Sequence, residues 1–262
     1  MRPPWVITSN RTLRERYEEL GAGDLILTRI SLKPGEEGLL LDLATRGVRA
    51  FPSLLSQALS RSKALQATVL GSFMPPGTRV IRDRHDVIRA LTEYAELGVE
   101  EVVTKEDRAN CGLGVHLWRS VEEIFNHAGR EPLRFPFVLQ PRFRELRDIR
   151  VVILGDYVEA YERCHPYSFR HNLYFGGHSR PYELSEGELE FCRRVMRRGD
   201  FPYAHLDMVY TREGGPYLME INLRGGLKGS RLTQEEYQKR LAAITESFLE
   251  SWLETHPGAR VF

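Results

Sequence analysis

Two carboxylates and an amide, Asp207, Glu220 and Asn222, fall in two short apolar segments, 204–210 and 217–222, separated by the turn formers Glu213-Gly214-Gly215-Pro216. The segments read as the strands of one hairpin. With Tyr210 facing Tyr217, Asp207 faces Glu220 and His205 faces Asn222. Side chains on a strand alternate, so all four share one face. Like charges directly across a sheet repel, and an Asp facing a Glu among Leu206, Met208, Leu218 and Ile221 calls for a compensating cation. Magnesium suits that place, because it takes oxygen ligands from one or two carboxylates together with substrate phosphates. An ordinary hairpin with one solvated polar face is the alternative reading.

Lys105 leaves the apolar run Val102-Val103-Thr104 just before Asn110-Cys111-Gly112-Leu113-Gly114-Val115. Glycines let backbone amides close on phosphate oxygens, and a lysine beside them adds a point charge for the same anion. The run fits neither a Walker motif nor a dinucleotide fingerprint, so a tight hairpin loop stays open as its alternative. Asp148-Ile149-Arg150, followed by Phe169-Arg170-His171-Asn172 and Gly176-Gly177, offers a guanidinium fork for phosphate or carboxylate. A solvated, arginine-rich loop has the same composition.

The elements that must position these groups alternate between strands and helices. Val6-Ile7 opens a strand, Thr12-x-x-Glu15 resembles a capping box for a helix ending at Leu20, and 24–28 reads as a second strand. A helix near 37–46, a strand at 48–51 and a helical stretch over 52–69 follow. Strands are then expected at 78–81, 101–105 and 115–118. Asp83 caps a helix whose apolar stripe is Val87, Ile88, Leu91, Tyr94 and Ala95, and Ser120-x-x-Glu123 opens another. The remainder reads as a strand over 135–140, a hairpin of 149–154 and 157–163 turned by Gly155-Asp156, a helix from Ser185-x-x-Glu188 closed by Gly199, the carboxylate hairpin, and a long helix from Thr233-x-x-Glu236.

The 262 residues are 42% hydrophobic, enough for a sizeable core, and 37 basic against 36 acidic residues give a net charge of +1. That balance argues against a dedicated nucleic-acid binder. No apolar run approaches a membrane span, and Met1-Arg2-Pro3-Pro4-Trp5 has no apolar signal core behind it, so the expected compartment is the cytoplasm, without membrane attachment. Cys111, Cys164 and Cys192 are widely spaced and read as reduced thiols. Cys164 with His165, His171 and His178 lacks zinc-ligand spacing. A homo-oligomer is compatible with the sequence but not required by it.

Taken in order, Ser60-Arg61-Ser62-Lys63, Pro75-Pro76-Gly77-Thr78, Val103-x-Lys105, Gly112-Leu113-Gly114-Val115, Phe137-Val138-Leu139-Gln140-Pro141-Arg142-Phe143, Asp148-Ile149-Arg150-Val151, Arg170-x-Asn172, Asp207 and Met219-Glu220-Ile221-Asn222 resemble the ATP-grasp superfamily. The nearest likeness is to its glutathione-synthetase and RimK-like carboxylate–amine ligase branch. The resemblance implies an α+β, ATP-grasp fold: an abbreviated N-terminal β/α domain (1–60), a central lobe with a glycine lid (61–133) and a C-terminal lobe with the metal site (134–262). It also implies that Lys63 and Lys105 contact ATP phosphates, that Gly112, Gly114 and Val115 belong to the loop covering them, and that Gln140, Pro141, Arg142 and Phe143 form the adenine-binding hinge. Asp207, Glu220 and Asn222 match the magnesium ligands, with manganese as a substitute, and Arg150, Arg170 and Asn172 match positions around the γ-phosphate and the acyl phosphate.

The activity so implied joins a small-molecule or peptide carboxylate to an amine through an acyl phosphate, releasing ADP and phosphate. A phosphotransferase on the same fold, and a non-catalytic ATP-binding subunit, are the alternatives. The sequence departs from the family pattern at Ser62, where an Asp is usual, at Glu106, where a Pro is usual, and at Leu223-Arg224-Gly225-Gly226-Leu227-Lys228-Gly229, where a Ser-Pro-Gly turn is common. The last departure touches the region that shapes the acceptor site.

Overall fold

The computed structural model describes residues 2–109, 113–128, 134–168, 173, 176–212 and 214–262. Near the N-terminus, β1 (Trp5–Ile7), α1 (Asn10–Arg16), β2 (Leu25–Ile26), α2 (Gly38–Thr45) and β3 (Arg49–Ala50) form a small unit whose strands pair in parallel. The cap of α1 is Ser9 rather than Thr12: the Ser9 hydroxyl accepts from the Thr12 amide at 3.1 Å, and Glu15 pairs instead with Arg11. The stretch 52–69 is two helices, α3 (Leu54–Leu59) and α4 (Lys63–Val69), because Ser62 turns out of the helix to accept from the Leu65 amide.

The middle of the chain gives β4 (Arg79–Ile81), α5 (Arg84–Glu96), β5 (Val102–Glu106), β6 (Val115–Trp118), α6 (Val121–Ala128) and β7 (Phe137–Pro141). The strands form an antiparallel sheet in the order β4-β7-β5-β6. Ile81, Val87, Tyr94, Val102, Ile124, Phe137 and Leu139 fill the space under α5 and α6. Ile88, expected on the apolar stripe of α5, is 48% exposed, since Val87, Ala90 and Tyr94 already cover the sheet.

The last part holds β8 (Leu146–Leu154), β9 (Tyr157–Cys164), β10 (His178–Tyr182), α7 (Glu186–Gly199), β11 (Tyr203–Thr211), β12 (Gly214–Asn222), α8 (Gln234–Thr255) and β13 (Arg260–Val261). Its antiparallel sheet runs β10-β9-β8-β11-β12, and Leu59, Leu70 and Met74 from the α3–α4 region pack into the same core as Val151, Ala204, Leu206 and Ile221. The capping boxes of α7 and α8 form as expected. Asp200, in the left-handed region at φ 55°, closes α7, whereas Gly199 stays helical and lets the Phe201 ring approach. Strand β13 returns to pair in parallel with β1, so both ends of the chain share one sheet. Neither β10 nor β13 was anticipated from the sequence, both being short and without strong alternation. Among the described residues no helix is long and apolar enough to cross a membrane.

Candidate active site

On the carboxylate hairpin Asp207 faces Glu220 and His205 faces Asn222, as the sequence suggested. The assumed pairing of Tyr210 with Tyr217 is nevertheless wrong by one residue: Val209 faces Tyr217, and the register shifts between Asp207 and Met208. Met219 is the extra residue of that bulge, and bulges re-aim side chains next to functional sites. Its Sδ lies 3.9 Å from Lys105 Nζ, which joins β12 to the central sheet. On the other side of β11, Arg150 of β8 sits opposite Asp207. Asp207 is thereby flanked by Glu220 on one neighbour strand and Arg150 on the other.

Positive charge at this place comes from the chain itself. Arg150 grips Asp207 through Nε and through Nη2, the latter at 3.1 Å, and Arg163 Nη2 stands 2.6 Å from Asp148 Oδ1 and 3.1 Å from Asp207 Oδ2. Burial alone would raise the Asp207 carboxyl, but the two guanidinium groups hold it far below the ordinary carboxylate range. Asp148 is shifted upward, because burial there outweighs the attraction of Arg163. Lys105 is pushed down to about 8 by burial, with Glu220 opposing that shift and Lys63 reinforcing it.

Lys63, the first residue of α4, donates to the Ala109 carbonyl and lies 3.6 Å from Glu220 Oε1. Its helix is tied to β12 by Gln66, whose amide accepts from Ile221 N at 3.0 Å and donates to Ile221 O at 2.9 Å and Leu59 O at 2.8 Å. Gln66 thus pairs with β12 as a neighbouring backbone would, and Ser60 accepts from Leu223 N just beyond it. Asp107 fixes the same corner by accepting from Ser62 Oγ and Ala64 N. These contacts bring Lys63, Lys105, Arg150, Asp207 and Glu220 together between the two antiparallel sheets, and Asn222 follows Glu220 by two residues on β12, opposite His205.

The other residues singled out from the sequence are placed less directly. Gln140 is 2% exposed, and its Nε2 donates to Thr78 Oγ1, so its side chain serves packing while its backbone pairs with Val103. Pro141 ends β7, and Arg142 and Phe143 lie in the connection to β8; Arg142 and Arg144 share Glu101. A Cβ on Gly114 would stand 2.4 Å from Ala109 Cβ and 2.8 Å from Glu106 Cβ, so close packing of the loop against itself requires glycine there, and Val115 opens β6. Gly112, Arg170 and Asn172 lie outside the described residues. Arg163 and Gln66 were missed: Glu162-Arg163 inside an apolar strand was a signal of buried charge, whereas nothing local marks Gln66.

The all-oxygen set of Asp207, Glu220 and Asn222 fits magnesium by donor chemistry. Among the described residues no group of three His, Cys, Asp or Glu side chains converges on a metal position. A metal here would therefore rest on two carboxylates, the Asn222 amide and oxygens of a bound ligand.

The chain is 28% identical over 162 residues to a glutathione synthetase of Agrobacterium fabrum, covering 56% of this chain and 46% of that protein. It is 27% identical over 212 residues to a probable alpha-L-glutamate ligase of an Enterobacter species, covering 78% and 67%. It thus spans about half to two thirds of these relatives. Among solved structures it is similar to a D-alanine–D-alanine ligase of Bacillus anthracis complexed with ATP (TM-score 0.62, 19% identity, 94% of this chain and 85% of that one). It is also similar to a RiPP-associated ATP-grasp ligase of Chryseobacterium gregarium in complex with ADP and a leader and core peptide (TM-score 0.54, 16% identity, 82% and 67%). These likenesses give the α+β architecture its name, the ATP-grasp fold. The RimK-like ATP-grasp domain model matches residues 57–244, well over half the sequence, and the chain therefore belongs to the RimK-like ATP-grasp family.

Proposed function

We propose that this protein is an ATP-dependent carboxylate–amine ligase that works through an acyl phosphate. The observation that carries the reading is the position of Asp207, in register between Glu220 and Arg150, with Lys63 and Lys105 of the central lobe brought to the same place. Lys63, Lys105, Arg150 and Arg163 face Asp148, Asp207 and Glu220, which leaves an excess of positive charge suited to a polyphosphate.

In this reading the connection after β7, Gln140 to Phe143, holds adenine through its backbone, and Lys63 and Lys105 hold the phosphates. Asp207, Glu220 and Asn222 would hold magnesium, which when bound supplies charge neutralisation at the transferring phosphoryl group. Oxygen of the carboxylate substrate attacks the γ-phosphorus and ADP leaves; the amine then attacks the carbonyl carbon, phosphate leaves with the bonding electrons, and the nitrogen gives up a proton to the departing phosphate. Arg150 is aimed by Asp207 at the charge that grows on the equatorial oxygens. The loop containing Gly112, Gly114 and Val115 excludes water from the acyl phosphate. Arg170 and Asn172 keep their assignment beside the γ-phosphate on the family resemblance alone.

The test is ADP release from Mg-ATP against amino acids, di-acids and peptides, singly and in pairs. Release that needs an acid and an amine together supports the ligase. Full turnover with one substrate alone makes the protein a phosphotransferase, and nucleotide binding without turnover makes it a regulatory binder.

A further inference from the structure

Ser62 and Glu106, two of the places at which the sequence departs from the family pattern, meet at the corner where α4 begins and β5 ends. The Glu106 amide donates to the Gly114 carbonyl at 2.8 Å, one step beyond the Lys105–Val115 pair. A proline there has no amide to give, so the hairpin of β5 and β6 is closed one residue further in this chain. Ser62 caps α4 by accepting from the Leu65 amide at 3.0 Å, and its own hydroxyl donates to Asp107 Oδ1 at 2.8 Å. The same oxygen accepts from the Ala64 amide at 3.1 Å, which sets a carboxylate across the start of α4 although none stands at position 62.

The stem from Glu106 to Ala109 is thereby fixed from several directions. The Asp107 side chain is 12% exposed, and its Oδ2 lies 3.5 Å from Arg108 Nε. Arg108 takes the left-handed conformation at φ 60°, which a residue with a side chain adopts at a cost, and its guanidinium reaches Glu37 of the N-terminal unit. The next residue, Ala109, offers its carbonyl to Lys63 Nζ. An ammonium carries three N–H donors. The Ala109 carbonyl and Glu220 Oε1, 3.6 Å from Nζ, stand on two sides of this one, which leaves a donor for a phosphate oxygen. A lysine stem has several rotatable bonds, so its ammonium keeps one place only where contacts of this kind hold it.

We infer that Asp107 is a positioning residue for nucleotide binding: by joining the stem after β5 to the first turn of α4, it sets the Ala109 carbonyl against Lys63 and so orders the ammonium that meets the phosphates. The inference rests on the reading of Lys63 as a phosphate contact and adds to it the residue that aims Lys63. Asp107 acts through Lys63 alone. Ordering a flexible side chain before the nucleotide arrives removes that cost from the binding step.

The experiment is calorimetric titration of the full chain with a non-hydrolysable ATP analogue and magnesium, with melting curves on the same samples. Asp107→Ala and Asp107→Ser are each expected to weaken the analogue about tenfold, and Asp107→Asn, which keeps an oxygen acceptor, by less. Exchanging the two residues, Ser62→Asp with Asp107→Ser, returns a carboxylate and a hydroxyl to the corner and should recover most of the loss. In a Lys63→Met background, itself weaker than the parent, Asp107→Ala or Asp107→Ser should bring no further loss, because the group that Asp107 aims is gone. A purely structural role would instead lower affinity and melting temperature together in both backgrounds. If the Asp107 variants bind like the parent, or lose affinity equally with and without Lys63, the inference is overturned while the nucleotide reading stands. If Lys63→Met binds the analogue like the parent, or the parent does not bind it, the reading of Lys63 falls and this inference with it.

Discussion

Arg163 lies 3.1 Å from Asp207 and holds it from the side opposite Glu220, while its other contact, to Asp148, is 2.6 Å long. Arg163 is only 7% exposed, so it sets the position of a carboxylate at the centre of the site without facing a substrate itself. Removing one member of a buried ion cluster leaves the others unpaired. Arg163→Leu is expected to cost about 3–5 kcal/mol in urea unfolding, and Asp148→Asn in the same chain to return part of that loss. A double-mutant cycle gives the coupling directly.

Asp207→Asn and Glu220→Gln should weaken nucleotide binding in the presence of magnesium far more than in its absence, whereas Lys105→Ala should weaken ATP under both conditions. Titration of ATP with and without magnesium separates the two behaviours. Three variants that bind Mg-ATP like the parent would overturn the site assignment.

Gln66 replaces a strand neighbour for Ile221, between the two proposed metal ligands of β12. Gln66→Leu leaves the Ile221 amide and carbonyl without partners, and the orphaned amide alone costs about 1–3 kcal/mol. Because α4 also carries Lys63, the variant should lose affinity for ATP as well as thermal stability. Gln66→Glu, which retains the acceptor, should lose less from the Ile221 amide.

Asp24, 1% exposed, accepts from Arg2 Nη1, the Trp5 amide and the Gly21 amide at 2.8, 2.8 and 2.9 Å. Burial pushes its carboxyl up, but these donors outweigh burial and leave it below the ordinary value of 3.8. A carboxyl depressed in the folded state contributes stability that is complete above the unfolded pKa and is lost as pH falls through the folded one. Melting temperature should therefore drop as pH is taken from 5 towards 3. Asp24→Asn should be less stable than the parent at pH 7, by about 1.5–3 kcal/mol, and should show a shallower dependence across that window.

Gly225 has room for no side chain beside His205 and Arg150. Gly225→Ala is expected to displace the segment or Arg150 and to lower turnover with a stability cost of about 1–3 kcal/mol. Steady-state kinetics beside a melting curve tells displacement from unfolding.

Much of the fold and of the carboxylate hairpin was legible in the order of the residues. Alternation set Asp207 and Glu220 on one face, the boxes at Ser185 and Thr233 set the starts of α7 and α8, and the order of the short motifs set the family. Each of these is local, because hydrogen bonds and side-chain periodicity over a few residues fix them. Even so, Asp207 faces Glu220 through a bulge at Met219 that no local signal announced, and the Thr12 box lost to Ser9 one turn earlier. Tertiary structure alone decided that Arg163 neutralises Asp148 and Asp207, that Gln66 reaches 155 residues along the chain to Ile221, and that β13 closes the first sheet. The reason is physical: a buried charge or amide takes whatever partner packing brings near, and for partners far apart in sequence no periodicity records that choice.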